Sequence, residues 1–114
     1  MQTLRSQIQY RFGMLPRVSL AQIRYFVAVA EEGNVGRAAE RLHLAQPPLS
    51  RQIQALEAEI GTPLFVRTPR GMRLLPSGEA FLDRARRILN AVDEASAAAR
   101  AAGSGGSGPS RPLS

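Results

Sequence analysis

Cysteine, lysine and tryptophan are all missing from this chain of 114 residues, and histidine occurs once, at position 43. Without cysteine there are no disulfide bonds and no thiolate metal sites. A single histidine cannot form a histidine-rich metal cluster, and it leaves His43 as the one candidate base for a Ser-His-Asp triad. We therefore expect no metal, no other cofactor and no catalytic residue.

Features typical of enzymes and membrane proteins are also missing. There are no paired catalytic carboxylates, no nucleophile beside a base and no phosphate-binding glycine loop. Glu31 and Glu32 are better explained as a solvated charge pair at a helix end. No apolar run reaches the roughly 20 residues of a membrane-spanning helix. The first residues, MQTLRSQIQYRFG, lack the apolar middle of a secretory signal. These absences favour a cytoplasmic protein that is not an enzyme.

The charge of the chain is strongly positive. Its formal net charge is +6, and every basic residue is arginine. A small cationic domain typically binds an anionic partner, either nucleic acid or a lipid surface. The two tyrosines and four phenylalanines do not alternate with the arginines as in single-strand binding proteins. A membrane-surface role is disfavoured because the apolar face of the last predicted helix is mostly alanine.

Apolar periodicity and capping residues predict three short helices in the middle of the chain. The first begins after Ser19, which can cap it, and ends at Gly33. Asn34 is a natural N-cap for the second. The third begins near Pro47-Pro48, where proline is well tolerated, and ends at Gly61.

A β-hairpin and a long helix are predicted to follow. Residues 63–67 and 72–75 have the pattern of two short strands, joined by a turn over residues 68–71. This hairpin is predicted to be the wing of a winged helix-turn-helix. An alanine-rich helix then runs from residue 76 to about residue 102, with Ser77 as its N-cap.

The third helix has the composition of an element that reads DNA. Its apolar residues fall on one side, and its exposed side is polar and cationic near the N-terminus but acidic at Glu57 and Glu59. Only the leading half is therefore expected to enter a groove, since phosphates repel the acidic half. Arg51 can pair with guanine, and Gln46 or Gln54 with adenine. The alternative is an ordinary solvated helix face.

The predicted wing is the second cationic feature. Arg67, Arg70 and Arg73 occur with no acidic residue between positions 61 and 78. Arginines on a hairpin suit phosphates or a narrow minor groove. The alternative is that Arg67 pairs with an acidic residue, Glu57 or Glu59, on the helix behind it.

Three stretches carry a family resemblance: IRYFVAVAEEG at 23–33, NVGRAAERLHLAQPPLSRQI at 34–53 and LEAEIGTPLFVRT at 56–68. Together they resemble the N-terminal domain of LysR-type transcriptional regulators, over roughly residues 17–100. The resemblance implies a mainly α winged helix-turn-helix followed by a long dimerisation linker helix. It also implies sequence-specific binding to double-stranded DNA by a transcription factor.

The resemblance assigns groove and backbone contacts to particular residues. The positions of this chain that match are Gln46, Pro47, Pro48, Ser50 and Arg51. Two departures stand in the second helix, where Val35 replaces a bulkier apolar residue and Gly36 replaces the usual serine or threonine. A hydroxyl at that point often binds a phosphate in the family, and Arg37 can compensate for its loss.

The long helix carries a candidate dimer interface. Its apolar residues alternate spacings of four and three, as in a coiled-coil seam. The seam residues are Phe81, Ala85, Ile88, Val92 and Ala95. The resemblance implies a homodimer that presents two recognition helices to an inverted-repeat operator. The alternative is a lone amphipathic helix that folds back on its own domain.

We predict four regions: an extension at 1–16, the winged helix-turn-helix at 17–75 with its helix-turn-helix at 34–53, the linker helix at 76–102, and a flexible tail at 103–114. Full-length family members continue into a two-lobed domain that binds a small-molecule co-inducer. The resemblance assigns no co-inducer site to these residues. An alternative function is therefore a truncated dimerisation fragment that modulates full-length regulators through mixed dimers.

Overall fold

The computed structural model describes residues 17–104, which form helices and one two-stranded antiparallel sheet. The predicted extension 1–16 and residues 105–114 of the predicted tail lie outside this range. The elements in chain order are α1 Leu20–Glu32, α2 Val35–Leu42, α3 Gln46–Ile60, β1 Phe65–Thr68, β2 Gly71–Leu74 and α4 Pro76–Ser104. The fold class expected from the sequence, a mainly α winged helix-turn-helix with a long C-terminal helix, is confirmed.

Capping residues set the limits of the first helices as predicted. Ser19 forms a capping box with Gln22, in which each side chain accepts a hydrogen bond from the other residue's amide. Asn34 accepts a hydrogen bond from the amide of Arg37 at 2.9 Å and so caps α2. Gly33 and Gly61 end α1 and α3 in left-handed backbone conformations.

The N-cap predicted for α4 is wrong. The helix begins at Pro76, and its first carbonyl acceptor is that of Leu75, which accepts from the amide of Glu79 at 2.9 Å. The hydroxyl of Ser77 instead donates to the carbonyl of Pro63. Ser77 therefore fastens the start of α4 to the loop before the wing.

His43 ends α2 in a left-handed conformation, with φ of 58°, and is the one non-glycine residue with positive φ among residues 17–104. Because its side chain is exposed, His43→Gly removes backbone strain without removing packing. We expect the free energy of unfolding, measured in urea, to rise by about 0.5–1 kcal/mol. The reciprocal control is Gly61→Ala, at φ of 90° with open space around a Cβ, which should lower it. Equal stability of His43→Gly and the wild type would contradict the prediction.

The apolar core joins α1 to every other element. Phe26 is fully buried, and its ring lies 5.2 Å from that of Phe65 and 4.9 Å from that of Phe81, the latter edge-on. It thus links α1 to both the wing and α4. Leu20, the first residue of α1, is 44% exposed and lies outside this core.

The first half of α4 packs against α1 of its own domain. Ala85 is fully buried and Phe81 is half-buried against Phe26. These two residues of the predicted dimer seam therefore serve the monomer core, because the small Ala85 lets the helices approach and Phe81 fills the space beside Phe26. For this half, the alternative that the helix folds back on its own domain holds. Ile88, 39% exposed, and the later seam residues stay accessible.

The predicted solvated pair, Glu31 and Glu32, is engaged by arginines. Both carboxylates bind Arg41 of α2, and Glu31 also binds Arg86 of α4. The hydrogen bond from Arg41, aided by Arg86 and opposed by desolvation, lowers the pKa of Glu31 below its ordinary value. The stability that these contacts add is therefore present above the ordinary pKa and is lost as the pH falls through the lowered one.

Candidate nucleic-acid interface

The rotation of α3 matches the prediction from its sequence. Leu49, Ile53 and Leu56 are buried, with at most 3% exposure. The polar residues of the leading half lie on the other side, where Arg51 and Gln54 are exposed. Exposed Pro47 and half-buried Ser50 lie on the same side, and the first turn also holds exposed Gln46 and half-buried Pro48. The leading half of α3 is thus polar and cationic on its exposed side, and the buried apolar residues on the other side anchor it to the core.

The start of α3 offers fewer backbone amides than a helix N-terminus normally does. Pro47 and Pro48 have no N–H, and the amide of Leu49 donates to the carbonyl of Ala45 at 3.4 Å. Free backbone amides therefore contribute little to the attraction of an anion at this end of α3. Attraction of a phosphate or a base edge at this end must come mainly from side chains.

The start of α2 lies next to the start of α3. A Cβ built on Gly36 would be 3.1 Å from the Asn34 side-chain oxygen and 3.5 Å from that of Gln46. The absence of a side chain at position 36 therefore leaves room for Gln46 beside the first turn of α2. Arg37, on that same turn, is exposed.

The three wing arginines do not share one face. Arg67 pairs with Met72 across the hairpin, and Val66 pairs with Arg73. Opposed residues point to the same face and successive residues to opposite faces, so Arg67 and Arg73 project from opposite sides. Arg67 borders a cleft that Ser50 and other residues of α3 line. The structure thus brings Arg67, and not Arg73, to the polar side of α3.

The alternative explanation for Arg67, an ion pair with Glu57 or Glu59, is not what the structure shows. Glu57 accepts hydrogen bonds from the amides of Leu64 and Phe65 at 2.8 and 3.2 Å. Glu59 accepts one from the amide of Arg17 at 2.9 Å. Both carboxylates therefore hold backbone, and Arg67 keeps its charge available.

Backbone contacts seat the wing on the turn between α1 and α2. The amide of Met72 donates to the carbonyl of Gly33 at 3.0 Å, and a Cβ on Gly71 would lie 2.3 Å from that carbonyl oxygen. At the hairpin tip, the hydroxyl of Thr68 accepts from the amide of Arg70 and donates to the carbonyl of Gly71. Arg70 is exposed at this fixed tip.

Ion pairing separates the arginines of the described residues into two groups. Within residues 17–104, the arginines in ion pairs are Arg41, Arg84, Arg86 and Arg87. None of the predicted DNA-contacting arginines, Arg37, Arg51, Arg67, Arg70 and Arg73, is in that group. The cations of this surface are thus free to meet an anionic ligand.

Sequence reasoning missed the role of Glu57. Its acidity suggested only repulsion of phosphates, whereas the side chain links α3 to the start of β1. No local pattern reveals this link, because its partners follow seven and eight residues later across a loop.

In the part of the chain that the structure describes, no helix has both the length and the apolar character needed to cross a bilayer.

Comparison with known proteins gives consistent matches. A model described as "Bacterial regulatory helix-turn-helix protein, lysR family" matches residues 20–79. The chain is 58% identical over 83 residues to the HTH-type transcriptional regulator TfdS of Cupriavidus pinatubonensis (strain JMP 134 / LMG 1197), covering 69% of this chain and 28% of TfdS. It is 54% identical over 79 residues to the HTH-type transcriptional regulator ClcR of Pseudomonas putida, covering 69% of this chain and 27% of ClcR. The chain thus spans little more than a quarter of the length of these relatives.

Two solved structures match in fold as well as sequence. The crystal structure of the CbnR_DBD-DNA complex has a TM-score of 0.72 at 49% identity, covering 75% of this chain and 98% of that chain. The crystal structure of the BenM_DBD/catB site 1 DNA complex has a TM-score of 0.76 at 43% identity, covering 78% of this chain and 100% of that chain.

Proposed function

We propose that this chain, which belongs to the lysR family of bacterial regulatory helix-turn-helix proteins, reads double-stranded DNA with the leading half of α3. The family match and the similarity to two structures that are DNA complexes identify a LysR-type helix-turn-helix DNA-binding domain in this chain. The observation that carries the proposal is the exposed polar half of α3, flanked by arginines that make no ion pair among residues 17–104. Its named relatives are transcriptional regulators, and we propose no catalytic activity.

Base readout is proposed for the exposed side chains of α3 in the major groove. Arg51 suits the two acceptors of guanine, and Gln46 or Gln54 suits adenine. Ser50 and Arg37 would bind phosphates or base edges, and Arg37 supplies the contact that Gly36 lacks a hydroxyl to make. Pro47 and Pro48 would lie against the groove wall and fix the angle of entry.

The wing is proposed to bind the flanking backbone or minor groove. Arg67 shares a cleft with Ser50 and Gln54, so it would extend the surface of α3. Arg70, at the hairpin tip, would meet the next phosphates or a narrow minor groove. Arg73 projects from the other face of the hairpin, so we propose that it contributes least.

A homodimer on an inverted repeat is proposed through the projecting half of α4. Ile88, Val92 and Ala95 continue the seam after its first two residues have entered the monomer core. We propose the division of the chain given above, into extension, winged domain, linker helix and tail, except that the linker helix continues to Ser104. The first half of the linker helix is packed as part of the body. A mixed dimer with a longer regulator is the second candidate, favoured by the exposure of these later seam residues.

Selection of bound duplexes from a random library with the full chain tests the proposal. We expect two inverted copies of one motif at a fixed spacing, and a dimer in sedimentation velocity. Val92→Asp should give a monomer and a single motif, because a charge enters the seam. Ala97→Asp, on the opposite side of the same helix, is the matched control and should change neither. Selected duplexes without a common motif would refute DNA reading, and a monomeric wild type would refute the dimer. Co-purification with a longer regulator would favour the mixed dimer.

A further inference from the structure

Four charged side chains connect three helices on the side of the body where α1 ends; we call them the Glu31 cluster. They are Glu31 and Glu32 of α1, Arg41 of α2 and Arg86 of α4. The two oxygens of Glu31 are shared, one with Arg41 at 2.9 Å and the other with Arg86 at 3.1 Å. Arg41 uses its second terminal nitrogen on Glu32 at 3.2 Å. The contacts form one continuous chain of charges.

The cluster lies near the point where α4 leaves the body. Phe81 and Ala85 seat the helix against α1, and Leu89 is the next residue packed on the core. From Asn90 to the end of the helix only Val92 is even partly covered. Arg86 therefore holds the helix on its charged side close to its last apolar contacts.

A small change in the angle at which α4 leaves the body causes a larger displacement at the far end of the helix. Residues 90–104 extend about 22 Å at 1.5 Å per residue. A tilt of about 10° at the base would move the tip by about 4 Å, which is close to the roughly 3.4 Å step between neighbouring bases of one strand. The spacing between the two half-sites that a dimer can bind therefore depends on the direction of α4.

We propose that Glu31 and Arg86 are positioning residues, which set the direction of α4 relative to α3 and thereby the half-site spacing that a dimer accepts. The consequence for spacing rests on the proposed function, whereas the consequence for helix direction does not. The apolar contacts of Phe81 and Ala85 determine where α4 lies. The Glu31 cluster restricts rotation of α4 about these apolar contacts, because Arg86 binds Glu31 on a different side of the helix.

Helix direction can be measured in the full chain without DNA. The chain has no cysteine, so Ala58→Cys on α3 and Ala101→Cys on α4, both exposed sites, carry spin labels without background. Labelled chain diluted in unlabelled chain reports only distances within one protomer. We expect a narrow distance distribution that broadens by several ångströms in Arg86→Gln. At about 1 M salt, where screening acts within roughly 3 Å, the wild type should approach the variant.

Arg84→Gln is the matched control, because Arg84 is on the same helix and its one ion pair among residues 17–104 is with its neighbour Asp83, at 3.8 Å. It loses the same charge and should keep the narrow distribution. Arg86→Lys should largely restore it, since an ammonium can still reach Glu31. Equal distributions for the wild type, Arg84→Gln and Arg86→Gln would overturn the proposal.

Spacing preference is the second readout, on duplexes carrying two selected half-sites with variable spacers. The measured quantity is the ratio of affinities for the duplex with the best spacer and for a duplex whose spacer is one base pair longer or shorter. Arg86→Gln should lower this ratio by about two- to fivefold, as expected for the loss of one exposed ion pair. Binding to a single half-site should stay unchanged. If wild type binds no duplex selectively, the proposed function fails while the label distances still decide the positioning role. An unaltered spacing preference in Arg86→Gln would overturn the role in spacing.

Discussion

Replacing Arg51 with alanine is expected to relax base preference at one position of the binding site and to weaken binding to the preferred duplex by about 1–3 kcal/mol, which is roughly 5- to 150-fold. The side chain is exposed on the leading half of α3 and makes no ion pair among residues 17–104. Its loss therefore leaves the fold intact. The measurement is the equilibrium binding constant for the preferred duplex and for duplexes with each base pair changed in turn.

Arg70→Ala is the informative comparison for that result. A residue that binds phosphate should weaken all duplexes alike and reduce the slope of log affinity against log salt by about one. Arg84→Ala removes the same charge from α4, away from the interface, and should have little effect on either quantity. If Arg51→Ala weakened every duplex equally, or if Arg70→Ala left the salt slope unchanged, the assigned roles would be wrong.

The features predicted correctly from sequence are those that depend on near neighbours in the chain. The caps of α1 and α2 follow from Ser19 and Asn34, because a capping side chain binds an amide three residues later. The rotation of α3 follows from the spacing of its apolar residues, since one face of a short helix must be buried. Together these local rules predicted which side of α3 is polar and exposed.

The features that sequence did not reveal depend on residues far apart. Phe81 and Ala85 have the spacing of a dimer seam, and only the position of Phe26 shows that they pack within the monomer. The ion pair between Glu31 and Arg86 joins residues 55 positions apart. The spacing of residues along a helix predicts that one face is apolar or charged, but it does not predict which part of the protein packs against that face.

Gly78→Ala is expected to lower the free energy of unfolding by about 2–3 kcal/mol or more, the cost of overpacking a tightly packed contact. A Cβ at this buried position would lie 2.1 Å from the carbonyl oxygen of Leu64 and 2.7 Å from a methyl group of Leu74. The Leu64 carbonyl also accepts from the amide of Leu75 at 2.9 Å. The backbone there cannot retreat without breaking that bond, so α4 must shift away from the wing.

Helix propensity alone predicts the opposite sign, because alanine is favoured over glycine in a helix by up to about 1 kcal/mol. Gly103→Ala is therefore the matched control, since it lies in the same helix with open space around a Cβ. It should be neutral or slightly stabilising in urea unfolding. Gly78→Ala should also weaken DNA binding, because the shift of α4 moves the wing and its arginines relative to α3. If Gly78→Ala instead stabilised the chain as Gly103→Ala does, the close approach of α4 to Leu64 would not be what requires glycine at position 78.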